Sequence, residues 1–422
     1  MAPFINNLLQ IPHRRSSRSS SDCGHPTAEP AMVAFDPYGD MMLIVGTKRC
    51  ADRFCNEERR DKQPDAVCFH VNSAVIAGAS PSFGLALYSP SAETLRGDNV
   101  KWIVRLPNDC PMAMHTIINI LYGHYPTSTP DVHMDIEQLL NLTVLADKYD
   151  LVHLFPNWTA QWVSDMEPYW LGRKFVGKST EDLEVLMWIF WVLGHEPLYT
   201  YMVLQIAFYS ELDAAGKLTD PAGQLCFTHE YGCVPVPPCA LIEIGHSRMD
   251  ALKIIRKEIK ETLEDHLHGR RKPSWLRCRR MDGDDDCGWR QSVLVSLVEM
   301  LVLEGIWPLP SAYTLTASPR SLVGIFRVNP NIPSFTHHHD GQFCDADGTF
   351  WEHIEKLLLE INFTLPAASA YYLGEQAMKS GLANYFKSRH PGISSDKGNW
   401  SLKEILEFQK AAAGSRCSPA KE

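Results

Sequence analysis

Through residue 150 the chain alternates short apolar runs with turn-forming punctuation. Asp36-Pro37-Tyr38-Gly39-Asp40 predicts a turn, with order beginning near Phe35. The apolar run 41–46 reads as a strand, the charged stretch 49–65 as a long hairpin connection, and 66–71 as the returning strand. Asn72 and Ser73 can cap a helix over 74–79, and Ser80-Pro81-Ser82 opens another. In 101–106, Trp102, Val104 and Leu106 share one face, the period of a third strand. Met114, Ile117, Ile118 and Leu121 recur at spacings of three and four, predicting a helix over 112–122. A second amphipathic helix, 136–149, buries Leu139, Leu142, Val144, Leu145 and Ala146.

Beyond residue 165 helical periodicity dominates. Two apolar helices, 183–192 and 198–212, flank a break at Gly194 and Pro197, and their Trp188, Phe190, Trp191 and Tyr199 read as core. Residues 215–238 are loop-rich. The charged helix 249–268 carries an apolar stripe of Leu252, Ile255, Ile259 and Leu263, and Gly269 ends it. Further helices are predicted at 292–304, 351–361 and 401–410. Strands early and helices later define an α+β protein, not an alternating βαβ array. The expected organisation is a disordered tail over 1–34, a small sheet flanked by helices over 35–165, a helical middle region over 166–270 and a mainly helical region over 271–422.

Composition narrows the function classes. With 422 residues the chain is long enough for two or three domains at roughly 150 residues each. A formal net charge of -10 argues against general nucleic-acid binding, which needs a basic surface to neutralise phosphates. The tail Arg14-Arg15-Ser16-Ser17-Arg18-Ser19-Ser20-Ser21 is polar and cannot build a core. Its composition suits a solvated linker, or a phosphorylated or nuclear-targeting segment. The start of the chain lacks the pattern of a signal peptide, and the most apolar run, 185–193, is shorter than the roughly 20 residues of a membrane span. An intracellular location in cytoplasm or nucleus follows as an expectation, with the twelve cysteines as thiols or metal ligands.

Four blocks in order carry a family resemblance: Phe69-His70-Val71-Asn72-Ser73-Ala74-Val75-Ile76, Val104-Arg105-Leu106-Pro107-Asn108-Asp109, Ile120-Leu121-Tyr122-Gly123 and Leu145-Ala146-Asp147-Lys148-Tyr149-Asp150. Together they resemble the BTB/POZ domains of fungal proteins, and Asp40 sits where that family places an Asp before its first strand. Trp191-Val192-Leu193-Gly194-His195-Glu196, and Cys287 with the helix after it, resemble the helical region of such proteins more loosely. The resemblance implies a protein-binding scaffold or adaptor that self-associates as a homodimer, not an enzyme. Asn72 stands where the family usually has His. Some BTB adaptors of cullin-type ubiquitin ligases carry a bulky apolar residue two positions before an acid. Here Ser91-Ala92-Glu93 keeps only the acid, which weighs against cullin as a partner.

Cys278, Cys287, His339 and Cys344 form the leading metal candidate, because three thiolates and an imidazole suit tetrahedral zinc. The alternative is a set of separate thiols and a surface His run. Cys226, Cys233, Cys239 and His229 form a second, looser cluster. The acidic run 282–286 lacks the later Glu of a calcium loop, and the basic residues 270–280 read as a surface loop balanced by those acids. No phosphate loop, G-x-S-x-G elbow or H-E-x-x-H motif occurs. An enzyme in the C-terminal helical region stays open as an alternative, since catalytic residues can lie far apart in sequence.

Overall fold

A computed structural model of the chain describes residues 30–46, 66–88, 102–126, 134–166, 180–227, 234–268, 289–328, 337–339, 342–344, 350–384, 399–401 and 403–404. The fold is α+β. Its main sheet has the strand order β1-β3-β2-β4, built from β1 (Ala31–Ala34), β2 (Met41–Val45), β3 (Val67–Val71) and β4 (Trp102–Leu106). Strands β2 and β3 form the expected antiparallel pair, while β1 on β3 and β4 on β2 run parallel. The register aligns Phe69, Leu43 and Val104 in one row, and all three are buried. Strand β1 starts ahead of Phe35, inside the stretch read from sequence as tail. Its residues Ala-Met-Val-Ala stay largely exposed, so no buried alternation marks them as a strand.

Helices α1 (Ser73–Ala79) and α2 (Pro81–Tyr88) follow β3, and α3 (Pro111–Leu121) and α4 (Ile136–Tyr149) follow β4. Helix α4 starts with a reciprocal capping box: Asp135 accepts from the Gln138 backbone, and the Gln138 side chain accepts from the Asp135 backbone. It ends at Asp150 in the left-handed conformation. A short helix, α5 (Thr159–Asp165), completes this N-terminal unit.

The next helices are α6 (Thr180–Leu193) and α7 (Glu196–Tyr209). Trp188, Phe190, Trp191 and Tyr199 are all buried, as the sequence predicts. Gly194 turns the chain between the two helices at φ +76. His195 caps α7, its Nδ1 accepting from the Leu198 N–H at 3.3 Å. A two-residue pair, β5 (Glu211–Leu212) with β6 (Leu218–Thr219), leads towards α8 (Ala240–His268). Helix α8 is 29 residues long and begins well before the expected residue 249.

Then come α9 (Trp289–Leu303), α10 (Pro319–Val328), the hairpin of β7 (His337–His339) and β8 (Gln342–Cys344), α11 (Phe350–Leu359), β9 (Asn362–Thr364), α12 (Ala367–Ser380) and β10 (Asn399–Ser401), which pairs with β9. Among the described residues two hydrophobic cores result. The first runs from Met41 to Leu382 and unites the N-terminal unit with α6, α7, the start of α8 and α12. The second gathers the rest of α8, with Leu252, Ile255, Ile259 and Leu263 as the buried stripe, against residues of α9, α10 and α11. Helix α8 therefore belongs to both.

Buried Arg248 stands on α8 where one core gives way to the other. Its guanidinium donates to the carbonyls of Ser210, Leu315, Thr316 and Ala317 at 2.9–3.2 Å. A planar fork with several donors suits this task, since one side chain can satisfy carbonyls from two separate segments.

Candidate interaction surface

The four motif blocks meet through hydrogen bonds around the sheet. Asp40, just before β2, accepts from the Ser73 N–H at 2.8 Å and from the Ser73 hydroxyl at 2.7 Å. The Tyr88 hydroxyl lies 2.8 Å from the same Ser73 oxygen, and its ring packs edge-on against Trp102 of β4. Asn72 caps α1 by accepting from the N–H groups of Ala74 and Val75, and its own N–H donates to the Tyr122 hydroxyl at 2.9 Å. Burial pushes the Tyr122 hydroxyl pKa up, with the charges of Asp36 and Asp40 adding to the effect, so it stays a neutral phenol there.

A second knot joins the remaining blocks. Asp109, only 3 % exposed, ends the turn after β4 and accepts from Lys148 Nζ and the Tyr149 hydroxyl at the end of α4. Burial, followed by the charge of Asp109, raises the Tyr149 pKa strongly, which keeps it protonated and donating. The Tyr149 ring stacks on Phe83 of α2 with centroids 4.1 Å apart. Carboxylate, ammonium and phenol here satisfy one another where an unpaired charge would be costly.

Outside these knots the unit presents apolar side chains to solvent. Val75 on α1 and Leu85 on α2 are exposed, Leu85 by 60 %. Met32 on β1, Ile103 on β4 and Met112 on α3 are exposed as well. Strands β1 and β4 are the two edges of the sheet. Exposed apolar residues and sheet edges are the features through which proteins bury surface against partners. Phe35, directly after β1, has four rings near it, those of Phe69, His115, Tyr122 and His124, at centroid distances of 5.6–6.1 Å. Burial lowers the His115 pKa, which favours the neutral imidazole against those rings.

The metal candidates are placed unevenly. Cys278 and Cys287 lie outside the described residues, as do His229 and Cys233 of the looser cluster and the Ser91-Ala92-Glu93 loop. His339 and Cys344 sit on the β7–β8 hairpin, but the register sets His337 opposite Cys344 and pairs His339 with Gln342. Cys226 is buried, and Cys239 is half-buried at the start of α8. Among the described residues no group of three or more His, Cys, Asp or Glu side chains is arranged to hold a metal. Among the same residues no helix is long and apolar enough to cross a membrane.

One buried polar centre escaped the sequence reading. Glu243 on α8 is 1 % exposed and accepts from the hydroxyls of Tyr199 and Ser369, both at 2.6 Å. It joins α7, α8 and α12. Burial and the Glu243 carboxylate together hold the Tyr199 pKa far above its ordinary value. Tyr199 and Ser369 are 44 and 126 positions from Glu243 along the chain, so no local spacing could have signalled the centre.

No protein-family model, curated protein or solved structure matches this chain.

Proposed function

We propose that the chain is a protein-binding adaptor, that residues 35–165 form a BTB/POZ domain of the fungal type, and that this domain self-associates. The observation that carries the reading is the mutual engagement of the motif blocks. Asp109 of the second block takes Lys148 and Tyr149 of the fourth, while Asn72 of the first takes Tyr122 of the third. Residues singled out for resemblance alone thus have specific physical partners in one another. Asn72 keeps a capping role in the slot where the family usually has His.

In this reading the working part is surface, and the mechanism is burial of area against a partner, not catalysis. An obligate homodimer commonly buries about 2,000 Å² or more. The exposed side chains of α1 and α2 and the sheet edges are the surfaces that would supply it. An intracellular location goes with this role. Light scattering on a size-exclusion column tests it: the chain should elute at about twice its 47.6 kDa mass at micromolar concentration. Leu85→Asp should shift it towards the monomer. A wild-type chain that is monomeric throughout that range would overturn the self-association.

A further inference from the structure

Helix α12 is held differently from α7, its neighbour in the main core. Its buried residues are Ser369, Leu373, Gln376, Ala377 and Ser380, of which only Leu373 is a large aliphatic. By contrast α7 buries Leu198, Tyr199, Met202, Val203, Leu204 and Ile206. Small and polar contacts secure α12 instead. Ser369 donates to Glu243, Ser380 donates to the Leu193 carbonyl at 2.7 Å, and the Tyr372 hydroxyl donates to Asp147 of α4 at 2.9 Å. Lys379 pairs with Asp150 at the rim, where both side chains remain more than a third exposed. The Gln376 Oε1 is buried with no hydrogen-bond partner among the described residues, a local cost of the docked state. On its outer side Tyr371 and Met378 are exposed by 68 % and 69 %.

The surface underneath is well formed. Trp191 of α6 offers a ring face, on which Tyr372 stacks at 4.3 Å and 12°. Gly194 lets the α6–α7 turn approach the α12 backbone, and Pro156 meets Gly381 at the helix end. An aromatic plate, a glycine notch and acceptors at both ends make a groove for one helix. A polar interface with few apolar anchors resembles a reversible contact more than a permanent core.

We propose that α12 is a releasable strap: it opens as a unit while α4, α6 and α7 remain folded, and in the closed state it occupies a groove that binds a helix of its own pattern. The occupant is α12 itself, with Ser369, Tyr372, Leu373, Gln376 and Ser380 as its reading face, and a partner helix must compete with it. This goes beyond the adaptor reading and does not depend on it, because it concerns the closure of the main core and not the α1–α2 surface.

Hydrogen exchange on the full chain tests the release. Amides of α12 should exchange faster than those of α7. Tyr372→Phe, which keeps the stack and removes the bond to Asp147, should speed α12 exchange and leave α7 unchanged. A labelled peptide of residues 366–383 supplies the second test. Its apparent affinity for the full chain should tighten on the order of tenfold in Tyr372→Ala, because a larger fraction of molecules has the groove open. Lys379→Ala, which alters only the rim pair, provides a variant with little folding risk and should act in the same direction more weakly. Equal exchange of α12 and α7 in the wild type would overturn the strap. Peptide binding no tighter in Tyr372→Ala or Lys379→Ala than in wild type would overturn the groove.

Discussion

Gly194 bears on the main core in two ways, and substitution can separate them. Its backbone lies at φ +76, and a Cβ built there would stand 2.1 Å from the Ala377 nitrogen and 2.6 Å from both the Gln376 carbon and the Leu373 oxygen. All three are backbone atoms of α12, so no side chain can rotate away. Gly194→Ala should therefore cost about 1–2 kcal/mol for the left-handed conformation and a further 1–3 kcal/mol or so for displacing α12. Gly123 is the control, because it has φ +70 but nothing within 4 Å of its Cβ position. Gly123→Ala should cost only the conformational part, about 1–2 kcal/mol. Urea unfolding of both variants, with the midpoint converted to free energy through the measured slope, gives the difference directly. Exchange of the α12 amides should rise in Gly194→Ala and stay unchanged in Gly123→Ala. Equal destabilisation by the two substitutions would refute the claim that α12 rests on this turn.

Other outcomes follow from single contacts. Asn72→Ala should destabilise by about 1 kcal/mol through loss of the α1 cap, and Asn72→Ser should recover most of it; urea midpoints of the two variants check this. Arg248→Met should cost about 3 kcal/mol or more, because buried carbonyls of two segments lose a charged donor, and Arg248→Lys should restore only part; equal stability of the Met variant and wild type would remove Arg248 from the account. One pH-dependent contribution comes from His115, whose folded pKa lies below its unfolded value. A depressed value for a base means that its stabilising contribution is present above the unfolded pKa of about 6.5 and is lost as pH falls through the folded value. His115→Gln should accordingly lose less stability than wild type between pH 7.5 and pH 5, and parallel curves for the two proteins would contradict it.

The regular parts of the fold were legible because their apolar residues follow the period of the element. The stripe on α8 and the buried rows of α3 and α4 needed only spacing. The same helix shows where spacing stops working. Ser247 and Arg248 are buried polar residues on the α8 segment that precedes the expected start. They break the apolar rhythm although their hydrogen bonds make burial affordable. Helix α12 was missed for a related reason. Apart from Leu373 its buried face is made of Ser, Gln and Ala, which carry little periodic signal, and its partners Asp147, Leu193 and Glu243 are 225, 187 and 126 residues away. Helix α10 and the four-residue β1 were likewise not anticipated. The capping role of Asn72 was readable from its neighbours alone, whereas the bond from Tyr149 to Asp109 required the fold to bring two motif blocks together.

The span of the first core, from Met41 to Leu382, also sets an order of events during synthesis. Trp191 and Leu193 leave the ribosome long before α12 exists. At 5–20 residues per second the interval between Leu193 and Leu382 is roughly 10–40 s. For that time the α6 face that α12 will cover is open to water and to other chains. A growing polypeptide of this kind offers its helix-binding groove first in trans, and only the later synthesis of α12 withdraws it.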